Sequence, residues 1–120
     1  MSSGARSIFV FGIYLAVIGI ALLAVPNLLL GAFLLPATTE VWVRVVGMLS
    51  VFLSFYFIQS ASMGLTEFFR LTVYVRSTTI LFLAAFVLLG YASPFLLPFG
   101  VVDLAGAIWT GLALRSAKIA

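Results

Sequence analysis

The sequence predicts an all-α, polytopic integral membrane protein built as a four-transmembrane-helix bundle. Three observations carry that expectation. Of 120 residues, 65% are hydrophobic and 8% charged, with a mean hydropathy of +1.35, whereas soluble domains carry roughly 25% charged residues. The chain is uncharged from Ser7 to Thr39, from Val45 to Thr66 and from Ser77 to Val102, and each stretch exceeds the ~18 residues that suggest a membrane span. Pro26, Gly64 and Gly90 cut these stretches into pieces of helix length.

The first helix is expected at about 7–25. Arg6 precedes its apolar run as in a signal peptide, but the run is too long and lacks a small-x-small cleavage site, so a retained helix is the better reading. One helix from Ser7 to Leu35 would extend about 43 Å at ~1.5 Å per residue, against a hydrocarbon core of about 30 Å. The break therefore falls at Pro26-Asn27, leaving a short interfacial segment at about 28–35 closed by Pro36. The second helix spans about 40–63, with Thr38 or Thr39 as its cap and Glu40 placing negative charge in its first turn. Gly64 and Leu65 turn the chain into a third helix at about 68–89, with Gly90 as its C-cap. Pro98 suits the first turn of the fourth helix, about 98–114, which ends at Arg115 and Lys118. Residues 1–120 thus form one domain.

Cytoplasmic loops carry the excess of Lys and Arg. Four spans place Arg6, Arg70, Arg76, Arg115 and Lys118 toward one side and Arg44 alone toward the other. This predicts a multi-pass protein of the cell inner (plasma) membrane with both termini cytoplasmic. Trp42 and Tyr91 fall at the outer interface and Tyr74 at the inner one, where such rings prefer to lie.

Composition also excludes function classes. With no His and no Cys, the chain lacks the usual ligands for zinc, copper, iron-sulfur clusters and haem. Three carboxylates on three different segments make a carboxylate-bridged metal pair improbable as well. No metal, cofactor or enzymatic reaction is expected. The basic residues are scattered singly, which points to membrane topology and away from nucleic acid.

Ionisable groups at membrane depth are costly and usually face the bundle interior, so they are the first site candidates. Glu40 with Arg44 and Glu67 with Arg70 can each pair within one helix. Asp103 and Arg76 have no such local partner, and Asp103 is the most deeply placed charge. Asp103 is expected to face the interior and come within hydrogen-bond or salt-bridge reach of Arg44 or Arg76, with Arg44 favoured because Asp103 and Arg44 each follow a helix start by five residues. Two readings of Asp103 stay open: a neutralised clip between helices, or a ligand or proton site. Gly106, Ala107 and Thr110 continue its helix face. Gln59 could face Arg76 or Thr110 from the second helix, and Trp109, deep on the fourth, needs a partner for its indole N–H. Arg44, Arg76, Asp103, Gln59, Trp109 and Thr110 are therefore the candidate polar site. Gly12, Ala16 and Gly19 on the first helix, with Gly47, Ser50 and Ser54 on the second, predict close helix packing.

The Pro-broken first helix (AVPNLLLG), Trp42-x-Arg44-x-x-Gly47 opening the second, Phe68-x-Arg70-x-x-Val73 leading to Arg76 in the third, and Asp103 with a terminal Ala-Leu-Arg in the fourth resemble small members of the DoxX-like superfamily. The resemblance covers the whole chain and implies a four-helix inner-membrane fold more than any activity, in a superfamily named for a small subunit of a terminal quinol oxidase. The expected function is an accessory subunit, or a component binding a lipid or quinone, in a larger membrane complex. The expected partners are the bilayer, other membrane subunits or further copies of the chain. The alternative is a small proton-coupled transporter using Asp103.

Overall fold

The structure, a computed structural model, describes residues 1–119, with side chains through Ser116. The Lys118 side chain, counted above toward orientation, lies outside the described residues. Helix α1 (Ser3–Ala24) begins four residues earlier than expected. Ser2 is its N-cap and its hydroxyl oxygen accepts the Ala5 N–H at 3.0 Å, so a local cap, not the charge of Arg6, marks the boundary. The helix ends where the expected break falls. Val25, preceding a proline, is driven out of the helical region, and Pro26 opens the short helix α2 (Pro26–Ala32) at a position where its missing N–H costs nothing.

A short connection ties α2 to α3 (Val41–Met63). Asn27 Oδ1 accepts the Thr38 N–H at 2.9 Å, and Thr38 Oγ1 accepts the Glu40 N–H at 3.0 Å. Thr38 thus orders the approach, and Glu40 is the N-cap residue rather than part of the first turn. Gly64 stops α3 in the left-handed region at φ 67°, as a side-chain-free residue can do at little cost. Helix α4 (Thr66–Leu88) follows at once, and Gly90 at φ 80° turns the chain after it. A single 3-10 turn, Pro94–Leu96, leads into α5 (Leu97–Ile119). Helix α5 outruns the expected end at 114 because Arg115 to Ile119 contains no breaker, and charged residues such as Arg and Lys are good helix formers.

Four of these helices, α1, α3, α4 and the one formed by the 3-10 turn with α5, are long and apolar enough to cross a membrane. A helix of 23 residues reaches ~34 Å at ~1.5 Å per residue, enough for a ~30 Å core. Leu28, Trp42, Leu88 and Tyr91 are among the many large apolar side chains on the outside, while Arg76, Thr72 and Thr110 are inside. So apolar an exterior around a core that admits an arginine departs from the distribution in a soluble protein.

Helix α1 is the hub. It packs antiparallel on α3, with backbones in contact where Gly19 meets Gly47, and antiparallel on α5, where Gly4 meets Leu114 and Phe11 meets Gly106. Helix α4 packs on α5, with Gly100 against Ile80. At the end that holds the chain termini and the α3–α4 turn, Ala5, Ile8, Phe11, Phe57, Ala61 and Phe69 form a closed core. There Phe57 of α3 meets Phe68 of α4 edge to face at 5.5 Å. Toward the opposite end α3 and α4 part, and α2 lies across the opening, its following residue Phe33 packed at a 41° tilt against Phe99 of α5 with ring centres 4.6 Å apart. The interior between α1, α3 and α4 is therefore closed around Phe11, Phe57 and Phe69 in the terminal half and hollow in the other.

Candidate functional site

The seal is built around Arg76, which is 3% exposed. Its Nε donates to the Thr72 carbonyl at 3.3 Å, and its Nη2 donates to Thr72 Oγ1 at 3.1 Å and to Thr110 Oγ1 at 2.8 Å. Thr110 Oγ1 also lies 2.7 Å from Ser7 Oγ, whose own proton goes to the Gly4 carbonyl at 2.7 Å. With that proton committed, Thr110 must be the donor to Ser7. One directed chain of hydrogen bonds thus runs from α4 through α5 to α1. The guanidinium carbon also sits 4.7 Å from the centre of the Phe11 ring and 5.8 Å from that of Phe57, a cation-π arrangement that strengthens when desolvated. Gly106 makes room for it, since a Cβ there would stand 2.9 Å from Nη1. Nη1 itself is buried and has no hydrogen-bond partner among the described residues.

Asp103 sits above this network, half-buried on α5. Thr79 of α4 borders the same hollow interior. No salt bridge joins it to either arginine: among the described residues the one ion pair is Arg70 with Glu67, at 2.5 Å and solvent-exposed. The expected Asp103 pairing is corrected here, and helix geometry explains why. Side chains lean toward the N-terminus of their own helix. Because α4 and α5 are antiparallel, Arg76 leans toward Thr72 and Asp103 leans the opposite way.

Arg44, the favoured partner, is further still. Helix α5 pairs with α1 so that Thr110 meets Ser7 and Gly106 meets Phe11, which puts Asp103 level with Tyr14. The Arg44 guanidinium instead donates to the Leu23 carbonyl, some nine residues higher on α1, or ~13 Å at ~1.5 Å per residue. There its charge complements the C-terminal end of α1. Counting from helix starts failed because α3 and α5 begin at different levels.

The hollow half is a cavity of about 360 Å³. Leucines of α1, α2 and α4, with Val43 and Val46 of α3, form most of its wall; Ser50, Thr79, Tyr14 and Asp103 supply polar groups, and among the described residues Asp103 is the one charged residue bordering it. That volume falls in the range of small-molecule pockets, about 300–1,000 Å³, and an apolar wall with a few convergent polar groups is their usual composition.

Of the six candidates from the sequence, Arg76 and Thr110 are in direct contact and Asp103 is adjacent to them. Gln59 is exposed, because Phe57, Ser60 and Ala61 carry the buried face of α3 and residue 59 points the other way. Trp109, 42% exposed, borders a shallow groove between α1 and α5 and lies outside the cavity. Two members of the network, Ser7 and Thr72, were not anticipated. Thr72 had a legible signal, a hydroxyl one helical turn before a buried arginine. Ser7 had none, since it was read as the residue that opens the first helix.

The fold and this interior define an all-helical bundle of four apolar, span-length helices with a hydroxyl-bonded arginine at its centre and an acid-bearing cavity in one half. No family model, curated protein or solved structure matches the chain.

Proposed function

We propose that the chain is a multi-pass protein of the cell inner membrane, both termini cytoplasmic, whose cavity receives a lipophilic molecule with a polar head. The cavity carries this reading: leucine walls suit an apolar body, and Asp103, Thr79 and Ser50 offer hydrogen bonds to a head group. A quinone or a lipid is the ligand class. In this reading the protein is a binding or accessory component of a larger membrane complex and not an enzyme, and membership of the DoxX-like superfamily belongs to the same proposal, carried by the sequence motifs.

Membrane insertion is supported by the apolar exterior and the proposed orientation by the arginine count, with Arg6, Arg70 and Arg115 at the terminal end and Arg44 at the other. The transporter alternative, with Asp103 carrying a proton, requires the sealed half to open, and the packing of Ile8, Phe11, Phe57 and Phe69 there opposes it.

Native mass spectrometry of protein extracted from its own membranes tests the proposal. The wild-type chain should retain one lipophilic molecule. Leu83→Trp, which fills the cavity from α4, should lose it while keeping its helical content and unfolding temperature. Retention of the same molecule by Leu83→Trp would refute the site, and proton-dependent uptake by reconstituted protein, lost in Asp103→Asn, would favour the transporter.

A further inference from the structure

A second concavity lies at the other end of the molecule, and its chemistry is opposite. Between the start of α1, the first turns of α4 and the last turns of α5 is a cleft of about 550 Å³, bordered by Arg70 and Arg115 and by the hydroxyls of Ser2, Ser3 and Thr66. Asp103 lies in the other half, Glu40 is at the opposite end, and Glu67, the acidic side chain at this end, points outward. Glu67 engages Nη1 of Arg70, which leaves the other guanidinium donors of Arg70 for the cleft.

The backbone adds N–H donors. Ser2 Oγ takes the Ala5 N–H, and the Ser2 carbonyl takes that of Arg6, so the N–H groups of Ser3 and Gly4 remain as the donors at the start of α1. Helices α1 and α4 bring their N-terminal ends here and α3 and α5 their C-terminal ends, so the backbone contributes N–H donors and not a net helix dipole. Gly111 keeps the α5 wall low: a Cβ there would meet only Val73, at 3.7 Å. Arg115, the donors of Arg70 that Glu67 does not engage, and hydroxyl and amide donors around one concave floor are the kinds of group that bind phosphate oxygens.

We infer that this cleft binds a phosphate group of net negative charge, carried by an anionic lipid head or by a soluble phosphate. Basic pockets between spans on the cytoplasmic side are suited to such heads, and the depth of the cleft reaches past the helix ends to Val73 and Leu114. The site shares no residue with the cavity around Asp103, so it stands whether or not a ligand binds there.

The test uses the full chain in nanodiscs and in neutral detergent. Native mass spectrometry should show retention of phosphatidylglycerol over phosphatidylcholine. Arg115→Gln and Arg70→Gln should each lower that retention about fivefold, the factor expected for one basic residue at a membrane surface. Arg44→Gln, at the opposite end, should leave it unchanged. If the ligand is soluble, inorganic phosphate should raise the unfolding temperature of the wild type in neutral detergent and not that of Arg115→Gln, with no preference among lipids. Absence of both effects, or an equal loss on Arg44→Gln, would overturn the inference.

Discussion

Thr110→Val should lower the stability of the bundle by about 3 kcal/mol, near the upper end for loss of a hydrogen bond to a charged group. The valine is close in shape, so little of the loss comes from packing. What changes is the partnership of Arg76: Nη2 keeps Thr72 but loses Thr110, while Nη1 already has no partner among the described residues. Ser7 loses its cross-helix bond in the same step. Removing the charge as well should recover much of the loss, because an apolar side chain in that position leaves nothing unsatisfied. Thr110→Val/Arg76→Leu should therefore be less destabilised than the sum of the two single variants, by about 1–3 kcal/mol. Unfolding of all four proteins in mixed micelles closes the cycle. Strict additivity would mean that the two side chains do not share a network.

Gly47→Val should be comparably damaging, at about 3 kcal/mol, for a purely steric reason. A Cβ on Gly47 would lie 2.8 Å from the Gly19 carbonyl oxygen and 3.0 Å from the Leu23 nitrogen. Both are backbone atoms, which cannot rotate aside. The α1–α3 pair would have to separate, and with it the face that supports Phe11 and Phe57. Gly31→Ala is the internal comparison: nothing lies within 4 Å of a Cβ there, and substitution within a helix should be neutral or stabilise by about 0.4–1 kcal/mol. Equal unfolding temperatures for the two variants would contradict the close α1–α3 contact.

The parts of the fold legible in the sequence are those set by local rules. Pro26 broke the long apolar run where a 30 Å core requires a break, Gly64 and Gly90 supply positive φ at two turns, and the small residues Gly12, Gly19 and Gly47 marked the α1–α3 contact. Helix ends at Ser3 and Ile119 were missed because charged residues were read as boundaries, although Arg6 and Arg115 are compatible with helix on either side. The site was half legible. Burial cost singled out Arg76 and Asp103, and Thr110 lay on the right face. Their connection was not legible, because attraction of opposite charges says nothing about the direction in which side chains lean on antiparallel helices. Hydroxyls satisfy Arg76 in place of the acid, and Asp103 is left to border the cavity.

The interior between α1, α3 and α4 is closed around Phe11, Phe57 and Phe69 in one half and hollow in the other. The chain has no cysteine, so a single introduced thiol reports one position. Ser50 and Ser60 lie on the same helix and differ from cysteine by one atom; Ser50 borders the cavity, whereas Ser60 is buried at 6% exposure toward the sealed end. In protein purified in detergent and freed of bound lipophilic molecules, Ser50→Cys should react with N-ethylmaleimide at least about tenfold faster than Ser60→Cys, since thiol reactivity follows access. Equal rates, or faster reaction at Ser60→Cys, would contradict the account.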